Sequence, residues 1–241
     1  MRFKLIACEI LFRELSYSVS RSPHRIDVEF LPKGLHDIGR KPMLESLQAV
    51  FDRVDEKDYD AILLGYALCN GGVAGLAAKT IPIVIPRAHD CITLFLGNRH
   101  RYEEYFHANP GTYFKTMGWI ERGDDLSPLG MKDQKTFQQW VEKYGEENAT
   151  YLWETMGGMQ HYSKYAFIEM GIEPDDRFEQ ETRKLAEHRN WEFEKLPGDI
   201  SLLKRLVEGD WNDDDFLIVQ PGETIEFEYS GQILHATKSP P

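Results

Sequence analysis

The chain has 241 residues, 41% of them hydrophobic and 28% charged, which is enough for one large α/β domain or two small ones with a real core. Its 28 Lys and Arg stand against 40 Asp and Glu, a formal charge of −12. That balance argues against nucleic acid or an anionic membrane as partner, since both demand basic surface.

Phe3-Lys-Leu-Ile-Ala7 reads as a buried strand that leads straight into Cys8. The N-terminal run is interrupted by Glu9 too early for a signal peptide, and no stretch approaches the roughly 18 apolar residues of a membrane span. A cytoplasmic location is therefore expected, with reduced thiols. A short helical stretch covers Ile10–Ser18. Ile26–Leu31 alternates as a half-buried strand, and a helix opened by Pro42 runs to Val54, with Leu44, Leu47, Val50, Phe51 and Val54 at helical spacing. The next strand is Tyr59–Leu64. It leads to the turn Cys69-Asn70-Gly71-Gly72, a short Ala/Gly-rich helix at Val73–Ala78, and a strand at Ile81–Ile85 that leads to Cys91.

Strands separated by helices of this length predict an α/β fold: a mostly parallel sheet with helices on both faces. Residues 98–162 are dense in aromatic and polar residues and read as a mostly helical insertion within a single domain, 1–241, that serves as a lid over the cysteine edge. The plainer reading is helices packed around their own rings. The last third offers strands at Tyr165–Ile168, Trp191–Leu196 and Phe216–Val219, and helices at Phe178–His188 and Ile200–Val207. Leu31-Pro32-Lys33-Gly34 against Leu196-Pro197-Gly198 hints at a duplicated βαβαβ unit.

The three cysteines, Cys8, Cys69 and Cys91, are the chain's only ones, and each lies just past an apolar strand. If those strands are parallel neighbours, their carboxyl ends share the edge where open α/β sheets bind ligands. Three thiols there suit zinc, at about 2.3 Å per bond, or an iron–sulfur cluster. A tetrahedral zinc site needs a fourth ligand, for which His36 and His89 are nearest by loop position. The spacing matches neither a zinc ribbon nor a ferredoxin run, and three core thiols are the plain alternative. Within Pro86-Arg87-Ala88-His89-Asp90-Cys91, Arg87 suits a carboxylate or phosphate, His89 a ligand or proton carrier, and Asp90 its orienter or a helix cap. Glu9 stands beside Cys8. The backbone amides of Asn70, Gly71 and Gly72, at the N-terminus of the short helix expected after them, suit an anion, and the simpler role is a tight turn that positions Cys69. Trp119, with Tyr113 and Phe114, would supply ring faces to a small-molecule ligand. No Walker A loop, full dinucleotide turn, nucleophile elbow or H-E-x-x-H motif is present.

Cys8-Glu9, Leu31-Pro-x-Gly-Leu-His36, Leu64-Gly-Tyr-x-Leu-Cys69, Pro86-Arg-Ala-His-Asp-Cys91, Pro110-Gly-Thr-Tyr113 and Gly118-Trp-Ile-Glu121 together resemble the DUF1638 family, proteins of unknown function from anaerobic bacteria and archaea. Ala67 and Asn70-Gly71 depart from the Gly and Gly-Asn usual in that family's turn. The resemblance implies company with corrinoid-dependent methyltransferase systems, and hence a corrinoid protein or methyltransferase as partner. Two functions follow as expectations: a metal-dependent protein, iron–sulfur or zinc, of anaerobic one-carbon metabolism, or a metal-free accessory protein that binds a small anion.

Overall fold

The computed structural model describes residues 1–36, 38–123, 162–228 and 232–238, with 138, 141, 142, 145, 146, 148 and 149 between them. The side chain of His36 lies outside the described residues, as do Trp140, Tyr144, Tyr151 and Trp153. The chain divides into two compact units, Met1–Glu103 with Gly198–Pro241, and Glu104–Pro197.

The first unit is built on a five-stranded sheet. Its strands are β1 (Arg2–Cys8), β2 (Arg25–Leu31), β3 (Ala61–Gly65), β4 (Ile83–Pro86) and β8 (Phe216–Val219), in the order β2-β1-β3-β4-β8. The first four are parallel, and β8 joins β4 antiparallel, with Ile83 opposite Val219 and Pro86 opposite Phe216. Phe3, Leu5, Ile6 and Ala7 on β1, and every residue of β3, are buried, as strands covered on both faces must be. Strand β2, at the edge, is only half-buried, which its alternating sequence anticipates.

Helix α1 (Phe12–Val19) joins β1 to β2, and α2 (Arg40–Phe51) joins β2 to β3. The chain moves outward from β1 to β2 and then returns past β1 to β3. Right-handed crossovers therefore put the two helices on opposite faces. Helix α2 starts two residues before the expected Pro42 and buries Met43, Leu47, Val50 and Phe51. The face covered by α1 leaves no room at Gly65. A Cβ there would lie 2.5 Å from the Ala7 Cβ and 3.0 Å from Leu15 Cδ1. Gly65→Ala is expected to cost about 1–3 kcal/mol by overpacking two central strands. A urea midpoint that drops with an unchanged slope would show it, and an unmoved midpoint would refute it.

One expectation is corrected here. Residues 73–75 form a turn and 76–78 run extended rather than helical, because their backbone groups pair with β9 (Glu223–Phe227). Gly75 N–H donates to the Ile225 carbonyl, Ile225 N–H to Leu76, and Ala78 N–H to Glu223, and Ala77 makes an antiparallel bridge to Thr224. Strand β9 continues into the antiparallel β10 (Leu234–Lys238), a pair not anticipated from sequence. The stretch expected to be mostly helical also contains a strand. After α3 (Cys91–Leu96) and α4 (Arg99–Ala108), Thr112–Thr116 forms β5, followed by the short α5 (Met117–Glu121).

In the second unit, β5 pairs with β6 (Lys164–Glu169) and β6 with β7 (Glu192–Pro197), all parallel. Helix α6 (Arg177–Arg189) packs on β6 and β7. Phe167 and Phe178 meet Met117 and Ile120, while Tyr165 meets Leu185 and Ala186. Helix α7 (Ser201–Glu208) and β8 belong to the first unit, where α7 lies against α1. The last third thus divides between two sheets. Its likeness to the first third covers one parallel strand–helix–strand pair and the loop after it, and ends at β8, which joins the other sheet antiparallel.

Candidate functional site

Strand order β2-β1-β3 places the topological switch point between β1 and β3, where loops leave the carboxyl ends in opposite directions and open a crevice. Cys8 ends β1 there and is buried. Beyond β3 and β4 the two following loops stay joined: Leu68 N–H donates to the Ala88 carbonyl at 2.9 Å, and Cys69 N–H to the His89 carbonyl at 2.8 Å. This pairing brings the Cys69 turn to the start of α3, where Cys91 is the first residue. Cys69 itself has φ +51°, left-handed backbone that a non-glycine residue adopts at a cost. Such strain clusters at functional sites.

The thiols share one electrostatic environment. Burial pushes Cys69 up to about 12. The neighbouring Asp90 carboxylate and Cys8 push the same way, while backbone N–H groups of Ala67 and Cys91 donate to its sulfur and oppose them. Cys8 is raised to about 11, again by burial first, with Glu9 adding to the rise and the Ile10 N–H and Lys33 opposing it. Tyr66, 1% exposed, is raised by burial and then by the like charges of ionised Cys8, Cys69 and Glu9. Sequence reasoning passed over Tyr66. Its signal was a lone phenol directly after an all-apolar strand.

None of the three cysteines is in a disulfide. Cys8 and Cys69 are neutral thiols at neutral pH, and so weak nucleophiles. Among the described residues, no three His, Cys, Asp or Glu side chains stand together as a ready-made metal cage. The raised pKa values also set a stability signature. The folded state holds the Cys8 proton up to about pH 11, whereas the unfolded chain releases it near 9. Stability from this group is thus complete below pH 9 and is lost as pH rises from 9 through 11, by about 3 kcal/mol at most. Unfolding curves between pH 8 and 11 should show a decline that Cys8→Ala flattens. Equal slopes in the two proteins would refute it.

The other residues singled out from sequence have definite places. Glu9 Oε1 accepts from Lys33 N–H at 2.9 Å, tying the loop after β1 to the loop after β2. Asp90 caps α3 through Ile92 N–H and Thr93 N–H and accepts from the Tyr102 hydroxyl at 2.8 Å. His89 is half-buried in the same loop. The helix that would have aimed the amides of Asn70 and Gly71 at an anion is absent. Gly71 N–H already donates to the Leu68 carbonyl, and Gly72 N–H donates to Asn70 Oδ1. Arg87, 8% exposed, gives its guanidinium to the main-chain carbonyls of Asp213, Phe216, Gln232 and Leu234. The backbone of His36 ends a 3-10 turn at Lys33–His36.

Trp119 lies half-buried on α5 of the second unit, and Tyr113 and Phe114 lie on β5. Tyr113 packs edge-on against Tyr162 and Tyr165, and Tyr165 against Trp191. Much of the described aromatic density is therefore this unit's own packing. A cleft of about 120 Å³ in the first unit is lined by Lys4, Glu29, Arg53, Asp55, Asp58 and Tyr59, among others. Glu29 pairs with Lys4 at 2.9 Å and Arg53 at 3.2 Å, so these charges hold the fold together rather than await a ligand.

A family model described as "Protein of unknown function (DUF1638)" matches residues 30–207, well over half of the chain. The match spans Cys69 and Cys91, whereas Cys8 and Glu9 precede it. No curated protein and no solved structure matches. Among the described residues, no helix is long and apolar enough to cross a membrane.

Proposed function

This chain belongs to the DUF1638 family, and from that premise we propose that its switch-point thiols hold a soft metal centre, a zinc ion or an iron–sulfur cluster. The observation that carries the reading is the bond from Cys69 N–H to the His89 carbonyl at 2.8 Å, which holds the Cys69 turn beside the start of α3 at Cys91, on the sheet edge where Cys8 ends β1. Neutral buried thiols that repel one another once ionised are stabilised as thiolates by a cation, so binding releases protons and tightens with pH. Cys91 is the third thiol in this reading, one loop from Cys69, and His36 or a water completes a tetrahedral set. His89 is the proton carrier beside the centre, while Asp90 and Glu9 hold the loops that frame it. Zinc there would supply thiol or methyl-group activation, and a cluster would supply low-potential electrons. The setting proposed is anaerobic methyl transfer beside a corrinoid protein or methyltransferase, which rests on the family resemblance alone.

Anaerobic purification, metal and sulfide analysis and a visible spectrum test the reading. About one zinc, or about four irons with sulfide, per chain is expected. Uptake no greater than that of a Cys8→Ala/Cys69→Ala double variant after reconstitution would sink it.

A further inference from the structure

Arg99 opens α4 in the first unit. Its Nη1 is buried with no hydrogen-bond partner, and no carboxylate among the described residues pairs with it. A desolvated guanidinium nitrogen in that state is costly, and natural structures rarely tolerate one without a reason. The surroundings sharpen the problem. Arg99 acts on the buried Arg87 as a like charge, against which Asp213 and Asp214 are the opposing carboxylates. Arg87 directs its Nε and Nη1 at main-chain carbonyls, which are neutral. Two guanidiniums therefore share a region in which one has hydrogen-bond acceptors and the other has none.

The helix end is not the receptor. Asn98 Oδ1 already accepts from the backbone N–H groups of His100 and Arg101, at 2.8 and 3.3 Å. The unmet demand belongs to the Arg99 side chain. A planar guanidinium is matched by two oxygens in one plane, as in a carboxylate or one edge of a phosphate. We propose that Arg99 is the receptor for an oxyanion ligand, a carboxylate or phosphate group bound beside Arg87. The site is distinct from the thiol centre and does not depend on it. With a net charge of −12 the chain as a whole repels anions, so binding at this point must come from the local pair of cations.

The test is thermal unfolding and calorimetric titration of the full chain with inorganic phosphate, acetate and chloride at equal ionic strength. Phosphate or acetate should raise the melting temperature of the natural protein beyond chloride. Arg99→Ala should weaken that binding by about 10-fold or more, and Arg99→Lys, a point charge without the fork, should retain part of it. Without ligand, Arg99→Ala should melt at the same temperature or higher, because a like charge beside Arg87 is gone. A response to phosphate alone identifies a phosphate-bearing ligand, and one to acetate identifies a carboxylate. Three results would overturn the proposal: no anion better than chloride, an undiminished response in Arg99→Ala, or a lowered melting temperature of ligand-free Arg99→Ala.

Discussion

Arg87→Met is expected to lower the free energy of unfolding by about 3–4 kcal/mol, one of the largest single-residue effects in this chain. The side chain leaves the end of β4 and reaches across to two other segments. Its Nε donates to the carbonyls of Asp213 at 2.9 Å and Phe216 at 3.2 Å, and its Nη1 to those of Gln232 and Leu234. Methionine fills similar volume but leaves buried carbonyls without donors. That loss, more than the lost charge, sets the magnitude. Arg87 N–H also donates to the Asp215 carbonyl at 2.8 Å, so the backbone link to the approach to β8 survives the substitution. Arg87→Lys should recover little, since one ammonium cannot span carbonyls on two segments. Urea unfolding gives the number. Faster proteolysis within 212–234 should accompany it, because β10 loses its tie to the sheet. A loss below about 1 kcal/mol would mean the guanidinium is not the staple this geometry describes.

Cys69→Gly is expected to separate function from stability. At φ +51° the cysteine carries the left-handed strain of a residue with a Cβ, about 1–2 kcal/mol, which glycine does not. Removing a half-buried thiol costs a similar amount, on the order of 1 kcal/mol. The metal-free variant should therefore unfold within about 1 kcal/mol of the natural protein. Metal affinity should fall by about 100-fold or more, because a thiolate ligand is gone and not merely its orienter. Competition with a chromophoric chelator under anaerobic conditions measures the second quantity, and denaturant unfolding of the apo-protein the first. Unchanged affinity would remove Cys69 from the site. A large loss of apo stability with no metal bound by either protein would make it a core thiol.

The sequence by itself determined which segments bury their side chains. Runs such as Ala61–Gly65 and Phe216–Val219 are apolar throughout, and Phe3–Ala7 is broken only by Lys4; all three match strands that bury most of their side chains. The spacing of Leu202, Leu203, Leu206 and Val207 matches the buried face of α7. It also located the cysteines just past three strands that prove to be parallel neighbours. Tertiary structure decided what these segments pair with. Residues 73–78 have helical composition, yet β9 offers their backbone groups partners and the helix does not form. Nothing local distinguishes β8, antiparallel in the first sheet, from β6 and β7, parallel in another. Arg87 has the look of an anion receptor in its motif and turns its Nε and Nη1 to carbonyls 126 to 147 residues away, while Arg99, outside every motif, has a buried Nη1 without an acceptor. The physical reason is common to all of these. Side-chain periodicity is a local property that the chain carries with it, whereas a hydrogen-bond partner or a desolvated charge exists only once distant segments have met.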